Sequence, residues 1–317
     1  MAAALQHREI PAISIIIPGL LVAVLGGLSA AQIGLFENSA SSIRMSEPRT
    51  VTIASRAFSY RSHGEFFKNG IAVDGPMVTI TESALEIMKY GVTVNDYKRC
   101  VADGDCQPAA PEHQVTNGDV PVTGVSIEDA RAYASWLSKA TDFDWILPTD
   151  AQMAFAAGSR FPDDGLGVSA DSKNPATRWL ADYDRETARK ASANPVPQAS
   201  GYFGENEFGL ADFPGNVWEW TTTCNRRVNL DNPDDAANGD SCGVYLAVGK
   251  HRSPMSFFVK NPKGGGCSVG APPDNLGFRL IREGKRYASY LQKIKTSLGI
   301  GTHRADVYRK ASLGRQN

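Results

Sequence analysis

The feature that most restricts this chain is a run of 27 residues without a charged side chain, from Ile10 to Phe36. About 20 consecutive apolar residues are enough to span a bilayer as a helix. The run therefore predicts either an uncleaved membrane anchor or a signal peptide cleaved after the small residues Ser29, Ala30 and Ala31. A buried core helix is the third interpretation. The first two place the rest of the chain on the periplasmic face of the bacterial inner membrane, or free in the periplasm after cleavage.

Composition then divides the chain into four segments: the anchor or signal peptide (1–36), a polar linker (37–56), a folded domain (57–283) and a basic tail (284–317). The tail carries a net charge of +7 in a chain whose total is −1, which leaves −8 for the rest. It indicates a solvated end, or a contact with anionic lipid headgroups or an acidic partner. The near-neutral total gives no sign of nucleic-acid binding.

Helices are predicted where a capping residue precedes an apolar segment of helical period. These positions follow Thr93 or Asn95, follow Ser126, and run from about Asp150 to Ala157. Strands are predicted at 57–60 and 77–80 from β-branched and aromatic residues. Residues 161–198 are predicted to be irregular, and the chain after Gly201 to form short strands with many glycine turns.

Four short blocks together carry a recognisable pattern. They are Pro121–Ser126 (PVTGVS), Leu147–Gln152 (LPTDAQ), Asn206–Asp212 leading into Gly215–Trp220 (GNVWEW), and Asn275–Arg279 (NLGFR). In this order the blocks closely resemble the sulfatase-modifying-factor family, whose best-known activity is formylglycine generation. The resemblance covers about residues 74–283. It implies an α+β fold: an irregular single domain related to C-type lectins, after an N-terminal hydrophobic helix.

The GNVWEW block allows two interpretations of its carboxylate. Trp218 and Trp220 share one side of a strand and Glu219 faces the other, because side chains alternate along a strand. The resemblance implies a structural Ca²⁺ held by Asp212, Gly215, Val217 and Glu219, and Ca²⁺ binds such mixtures of carboxylate and backbone oxygens. The other interpretation is a carboxylate satisfied by backbone N–H groups.

The resemblance also argues against formylglycine synthesis by this chain. That activity requires two cysteines that bind copper as thiolates, and the equivalent stretch here, Gly249–Val259, contains no cysteine. An iron-binding branch of the family is also disfavoured, because the five histidines form no H-x3-H-x-E array, and iron is otherwise left open. The remaining likeness is to the NirV-like branch, found near nitrite reductase in denitrifying bacteria.

The five cysteines fit an exported protein, in which disulfides persist. Proximity along the chain predicts the pairs Cys100–Cys106 and Cys224–Cys242. Cys267 is then left over, either as a reactive thiol beside a glycine-rich loop or as a small buried residue. Other pairings, such as Cys242 with Cys267, stay open.

Candidate functional residues concentrate after the GNVWEW block, in 221–269. We expect a groove in which His251, Cys267 and Ser256 are catalytic candidates. Its substrate-binding candidates are Trp218, Arg252 and Arg226, because guanidinium groups suit acidic ligands. The competing interpretations are a tryptophan packed in the core and a histidine–arginine pair that is hydrogen-bonded at the surface.

Three functions are compatible with this pattern. The first is an exported accessory protein that assists maturation of a redox or metallo-enzyme partner, of the nitrite-reductase-associated type. The second is a metal-dependent oxidoreductase acting on a peptide or small molecule, and the third is a non-catalytic, lectin-like binding module. Two features favour the first function: the predicted export signal is present, and the copper-binding cysteines are absent.

Overall fold

A computed structural model of the chain describes residues 47–113, 115, 117–168, 174–191, 196–232, 242–263 and 273–285. These residues form a mixed α+β domain in which strands outnumber helices, as the sequence predicts. None of the helices in these ranges has the length and apolarity needed to cross a bilayer. The predicted N-terminal hydrophobic helix, the first half of the linker and the basic tail after Lys285 lie outside the described residues.

Three of the helices lie where their capping residues predict. The helices are α1 (Val94–Ala102), α2 (Ile127–Thr141), α3 (Asp150–Ala157) and α4 (Pro175–Ala191). Thr93 caps α1 by accepting a hydrogen bond from the backbone N–H of Asp96. Ser126 and Thr149 each form a capping box at the start of α2 and α3, which satisfies two backbone groups that the first turn leaves unpaired. These starts could be predicted because the signal is local.

Helix α4 corrects the prediction of irregular structure over 161–198. Asn174 caps it through a hydrogen bond from the N–H of Ala176, and Pro175 occupies the first helical position, where proline is favoured. The helix is held to the domain through charged groups: Arg178 donates to Asp74 at 2.8 Å. Its contact with the domain is therefore made by charged side chains, whereas a surface helix usually packs through its apolar stripe.

Two four-stranded sheets and two smaller ones make up the β-structure. The first sheet has the order β1 (Thr50–Ile53), β6 (Leu85–Met88), β13 (Ile281–Lys285), β7 (Phe143–Ile146). The second has the order β11 (Arg252–Ser256), β10 (Val244–Val248), β8 (Trp218–Cys224), β12 (Leu276–Gly277). A hairpin-like pair joins β2 (Arg56–Arg61) to β5 (Met77–Glu82), and a three-stranded sheet has the order β4 (Ile71–Val73), β3 (Glu65–Lys68), β9 (Arg227–Asn229).

The strand positions refine the predicted domain boundaries. The predicted strands at 57–60 and 77–80 are confirmed, since they lie within β2 and β5. Strand β1, however, lies inside the segment assigned as linker and pairs in full with β6. The folded domain therefore begins by Thr50, earlier than the predicted boundary at residue 57.

The hydrophobic core joins the two large sheets through α3. Met153 and Phe155 of this helix pack with Ile87 of the first sheet and Val248 of the second. A second aromatic group, Tyr97, Tyr133 and Phe278, packs α1 and α2 against the chain that follows β12. Burial of each such side chain stabilises the fold by roughly 1.5–3 kcal/mol, and so this packing holds α3 against both large sheets.

A buried ion pair links the GNVWEW and NLGFR blocks. Arg279 donates from Nε to Glu219 Oε2 at 2.5 Å and from Nη2 to Glu219 Oε1 at 2.6 Å, with both side chains buried. The same guanidinium donates to the carbonyl oxygens of Met88, Lys89 and Ala211. Glu219 does face away from its neighbouring tryptophans, as predicted, but its partner is an arginine.

Both predicted disulfides are present. Cys100 and Cys106 are bonded with their Cα atoms 5.3 Å apart, and Cys224 and Cys242 with theirs 5.8 Å apart. The first closes the end of α1, and the second ties β8 to the start of β10. Cys267 lies outside the described residues.

Removal of the Glu219 charge should destabilise the domain strongly. Glu219→Gln leaves Arg279 buried without its counter-charge, a change that typically costs about 3–5 kcal/mol. The matched control is Glu128→Gln, because Glu128 pairs with Arg131 on the exposed face of α2 and such pairs contribute less than about 1 kcal/mol. Denaturant unfolding at neutral pH measures both, and an equal loss in the two variants would contradict the assigned role.

Candidate functional site

The tip of the β10–β11 hairpin brings His251 close to Trp218, two of the predicted site residues. In the antiparallel register Val248 pairs with Arg252, and the N–H of Gly249 donates to the carbonyl of His251 at 3.0 Å, which closes the turn. A Cβ atom on Gly249 would lie 2.8 Å from Cγ of Trp218, closer than real contacts allow. Glycine is therefore required here for the turn to approach the indole.

His251 packs edge-on against Trp218. The ring centroids are 5.2 Å apart at an interplanar angle of 71°, and both residues are buried. The ammonium group of Lys250 lies 5.8 Å from the indole ring, within the range of a cation–π contact. The predicted neighbourhood of Trp218 and His251 is therefore present, but as a packed contact rather than as the walls of an open groove.

Arg252 is buried in a network of charged groups. Its Nε donates to Asp164 Oδ2 at 2.9 Å, its Nη1 donates to the carbonyl of Arg61 at 2.7 Å, and Nη1 lies 3.6 Å from Asp150 Oδ2. These partners occupy the guanidinium, so the interpretation of Arg252 as a surface residue is wrong. The geometry gives no support to its predicted role in substrate binding, which stays a prediction.

Burial shifts the pKa of two groups around Arg252 in opposite directions. Asp150, the first residue of α3, is buried, and this raises its pKa to about 6 although Arg252 acts to lower it. Its Oδ1 has no hydrogen-bond partner among the described residues. Burial, and then the charge of Arg252, lowers the pKa of His63 to about 4; its Nε2 lies 3.2 Å from Asn225 Oδ1.

The other predicted residues are dispersed. Ser256 pairs with Val244 at the far end of the hairpin, four residues from Arg252, which is roughly 13 Å along a strand. Arg226 is exposed beyond the end of β8. Cys267 lies outside the described residues. The structure therefore does not bring Ser256 and His251 together as one catalytic group.

Two of the four predicted calcium ligands, the side chains of Asp212 and Glu219, have other partners in this fold. Both carboxylate oxygens of Glu219 bind Arg279, and those of Asp212 accept hydrogen bonds from the N–H groups of Gly201 and Phe203 at 2.7 and 2.9 Å. For Asp212 this matches the alternative of a carboxylate satisfied by backbone. No group of three or more histidine, cysteine or acidic side chains suited to a metal occurs in the described part of the chain. This donor set does not fit Ca²⁺ well, and calcium stays a prediction.

A small cleft before the start of β12 was not predicted from the sequence. Strand β12 runs parallel to β8 with Leu276 opposite Trp218, which places Asn275 at the edge of the site. The cleft has a volume of about 10 Å³, and its lining includes His113, Lys260 and Asn275. Lys260 pairs with Asp129 at 3.0 Å. Asn275 lies in the NLGFR block, and Thr123 and Gly124, which also line the cleft, lie in the PVTGVS block; His113 and Lys260 come from loops with no local signal.

The fold and these blocks agree with comparisons to known proteins. Residues 35–284 match the model of the sulfatase-modifying factor enzyme 1-like domain. Since the match covers well over half of the chain, the protein belongs to this family, and the resemblance predicted from the four blocks is confirmed. The NirV-like assignment within the family stays a prediction.

Individual relatives match over shorter stretches. The chain is 27% identical over 186 residues to "Inactive C-alpha-formylglycine-generating enzyme 2" of Bos taurus, covering 55% of this chain and 54% of that protein. It is 35% identical over 111 residues to "Formylglycine-generating enzyme" of Mycobacterium tuberculosis, covering 32% and 33%. The matched part thus spans about half of the bovine relative and a third of the mycobacterial one.

A solved structure is similar over most of its length. PvdO from Pseudomonas aeruginosa superimposes with a TM-score of 0.48 at 21% identity, covering 74% of this chain and 94% of that one.

Opposed titrations around Arg252 predict a specific pH dependence of stability. A raised pKa means that folded Asp150 binds its proton more tightly than the unfolded chain does, so the free energy of unfolding falls as pH rises from about 4 to about 6. A lowered pKa means that His63 acts oppositely, raising stability from about pH 4 to about 6.5. The two contributions offset each other in the native protein.

Single substitutions should expose each contribution. His63→Gln leaves Asp150 acting alone, so stability relative to the native protein falls between about pH 4.5 and about pH 6, by at most about 1.4 kcal/mol per pH unit. Asp150→Asn should give the opposite slope. Urea unfolding across this range measures both, and parallel curves for the two variants would rule out the assignment.

Proposed function

We propose that this protein is an exported accessory protein of the sulfatase-modifying-factor family, which assists maturation or modification of a redox or metallo-enzyme partner of the nitrite-reductase-associated type. The observation that carries the proposal is the stretch Gly249–Val259, which contains strand β11 of the second sheet but no cysteine. Without soft thiolate ligands the segment cannot form the copper site that formylglycine generation requires. The fold must therefore serve a function other than formylglycine generation in this protein.

The charged network supports this proposal over a catalytic role for the hairpin. Arg252 and His251 are buried and engaged with Asp164 and Trp218, and Ser256 lies at the opposite end of the strand. A catalytic nucleophile and its base need to lie within hydrogen-bonding reach of each other. The arrangement favours a folded scaffold that acts by binding, which disfavours the oxidoreductase alternative.

An exposed aromatic pair beyond the hairpin offers a surface for such binding. Phe257 and Phe258 follow β11, their ring centroids lie 5.4 Å apart, and Phe258 is 65% exposed. The chain then continues through Lys260 to the cleft at Asn275. Exposed aromatic side chains beside polar groups are typical of the central contacts in protein interfaces.

The relatives and the apolar run support the remaining parts of the proposal. One similar protein bears the name of an inactive formylglycine-generating enzyme, so that likeness is compatible with a family fold that lacks this activity. The charge-free segment Ile10–Phe36 supports export, with the domain on the periplasmic face of the inner membrane or free in the periplasm after cleavage.

We expect no formylglycine-generating activity. Protein reconstituted with copper and incubated with a sulfatase-type cysteine peptide should leave the peptide unchanged by mass spectrometry, because Gly249–Val259 lacks both thiols. A formylglycine-generating enzyme treated in parallel provides the positive control. An aldehyde product formed by this protein would refute the proposal at its first step.

A test in the native host addresses the accessory role. Deletion of the gene should lower the metal content and activity of the nitrite reductase, and the wild-type gene should restore both. Phe258→Ser should fail to restore them, whereas Met77→Ser, a matched change at a side chain that is 55% exposed on β5, should succeed. Both variants should fold normally, since surface substitutions change stability by less than about 0.5 kcal/mol. Full metal content and activity after deletion would exclude this partner class.

A further inference from the structure

Helix α4 presents its polar and apolar faces in an unusual arrangement. Arg178 and Arg185 face the domain, where Arg178 donates to Asp74 at 2.8 Å and Arg185 donates to the carbonyl of Asp164 at 2.6 Å. A helix on the surface of a globular protein normally buries its apolar stripe and exposes its charges. Here the charged side chains form the contact with the body.

The apolar stripe of α4 consequently faces outward. Trp179, Leu180 and Tyr183 are 65%, 51% and 57% exposed, and the rings of Trp179 and Tyr183 are stacked with centroids 5.8 Å apart. With 100° between successive residues, these three side chains fall within about one third of the helix circumference. Contiguous exposed apolar patches of this kind mark interaction sites.

The size of the patch argues against a protein partner. A large aromatic side chain buries roughly 150–250 Å², so three such side chains offer at most about 750 Å², and because only 51–65% of each is exposed, roughly 430 Å² of this is available. A specific protein interface buries about 800 Å² on each partner. A bilayer surface needs no matching shape, and tryptophan, tyrosine and leucine are the residues that interfacial helices insert at the level of the headgroups.

The chain itself places a lipid surface within reach. The charge-free run ends at Phe36, and Glu47 is the first described residue, so ten residues separate them. Ten residues span at most about 35 Å when extended. In the anchored form of the proposed function the domain therefore stays close to the bilayer, and α4 can turn toward it.

We infer that the Trp179–Leu180–Tyr183 face of α4 is a membrane-docking surface that lays the domain on the bilayer. The ion pair of Arg178 with Asp74 and the hydrogen bond of Arg185 to the Asp164 carbonyl fix the helix to the body, so insertion of the three side chains orients the whole domain. This inference rests on the proposed function, because only an exported, anchored chain lies close to the membrane. The orientation itself rests on the exposed face of α4.

Tryptophan fluorescence provides a direct test, because Trp179 is the one exposed tryptophan among five. The other four, Trp136, Trp145, Trp218 and Trp220, are buried. The full chain is reconstituted in vesicles of phosphatidylcholine and phosphatidylglycerol, with and without brominated phosphatidylcholine. Bromine should quench the Trp179 emission of the native protein, and this quenching should vanish in Trp179→Phe.

Matched variants separate docking from general proximity. The double variant Leu180→Ser, Tyr183→Ser should lose most of the quenching, whereas Tyr202→Ser, at a side chain 68% exposed elsewhere on the domain, should retain it. Absence of quenching in the native protein overturns the inference. So does concentration-dependent shielding of Trp179 from acrylamide without bromine quenching, which would assign the face to a second copy of the chain.

The anchor is tested separately. N-terminal sequencing of chain purified from native membranes shows whether residues 10–36 are retained. A cleaved chain whose Trp179 is still quenched by added vesicles would leave the docking surface intact while removing the anchored form of the proposed function. A retained anchor without quenching of Trp179 would overturn the docking surface and leave the anchored form of the proposed function intact.

Discussion

The buried pair between Glu219 and Arg279 is the interaction on which the rest of this structure depends. One guanidinium meets the carboxylate at the start of β8, and the carbonyls of Met88 and Lys89 at the end of β6, so it joins the two large sheets. Bringing both ions out of water is costly, and the pair is tolerable only because its geometry is bidentate and the remaining donors are satisfied. The contribution of the pair is to hold β8 of the second sheet next to the end of β6 of the first sheet.

This pair also gives physical content to the sequence pattern. Glu219 belongs to the GNVWEW block and Arg279 to the NLGFR block, 60 residues apart in the chain. The two blocks are therefore halves of one contact, and β12 pairs with β8 immediately beside it. Both oxygens of the Glu219 carboxylate already accept hydrogen bonds from Arg279, so the role of this residue that the structure supports is structural, and its role in binding calcium stays a prediction.

The parts of this structure that have a local signal could be predicted from the sequence. Contacts between residues that lie far apart in the chain could not. Helix starts at Ser126 and Thr149 and both disulfides could be predicted, because a capping box spans three residues and the paired cysteines are only 6 and 18 residues apart in the chain. The network of Arg252 could not, since Asp150 lies 102 residues before it and Asp164 lies 88 residues before it. No alternation or spacing in one strand indicates which acid a distant arginine will meet.

The network around Arg252 also holds the β10–β11 hairpin, which contains no thiol, in the domain. Arg252 extends the hairpin inward to Asp164, and the carbonyl of Asp164 accepts from Arg185 of α4. A substitution at Arg252 would therefore disturb both the hairpin and the helix. The stretch that the resemblance equates with the copper-binding segment is thus joined to α4 through Asp164. The two surfaces proposed for recognition, the phenylalanine pair after β11 and the aromatic face of α4, lie on the elements that this network connects.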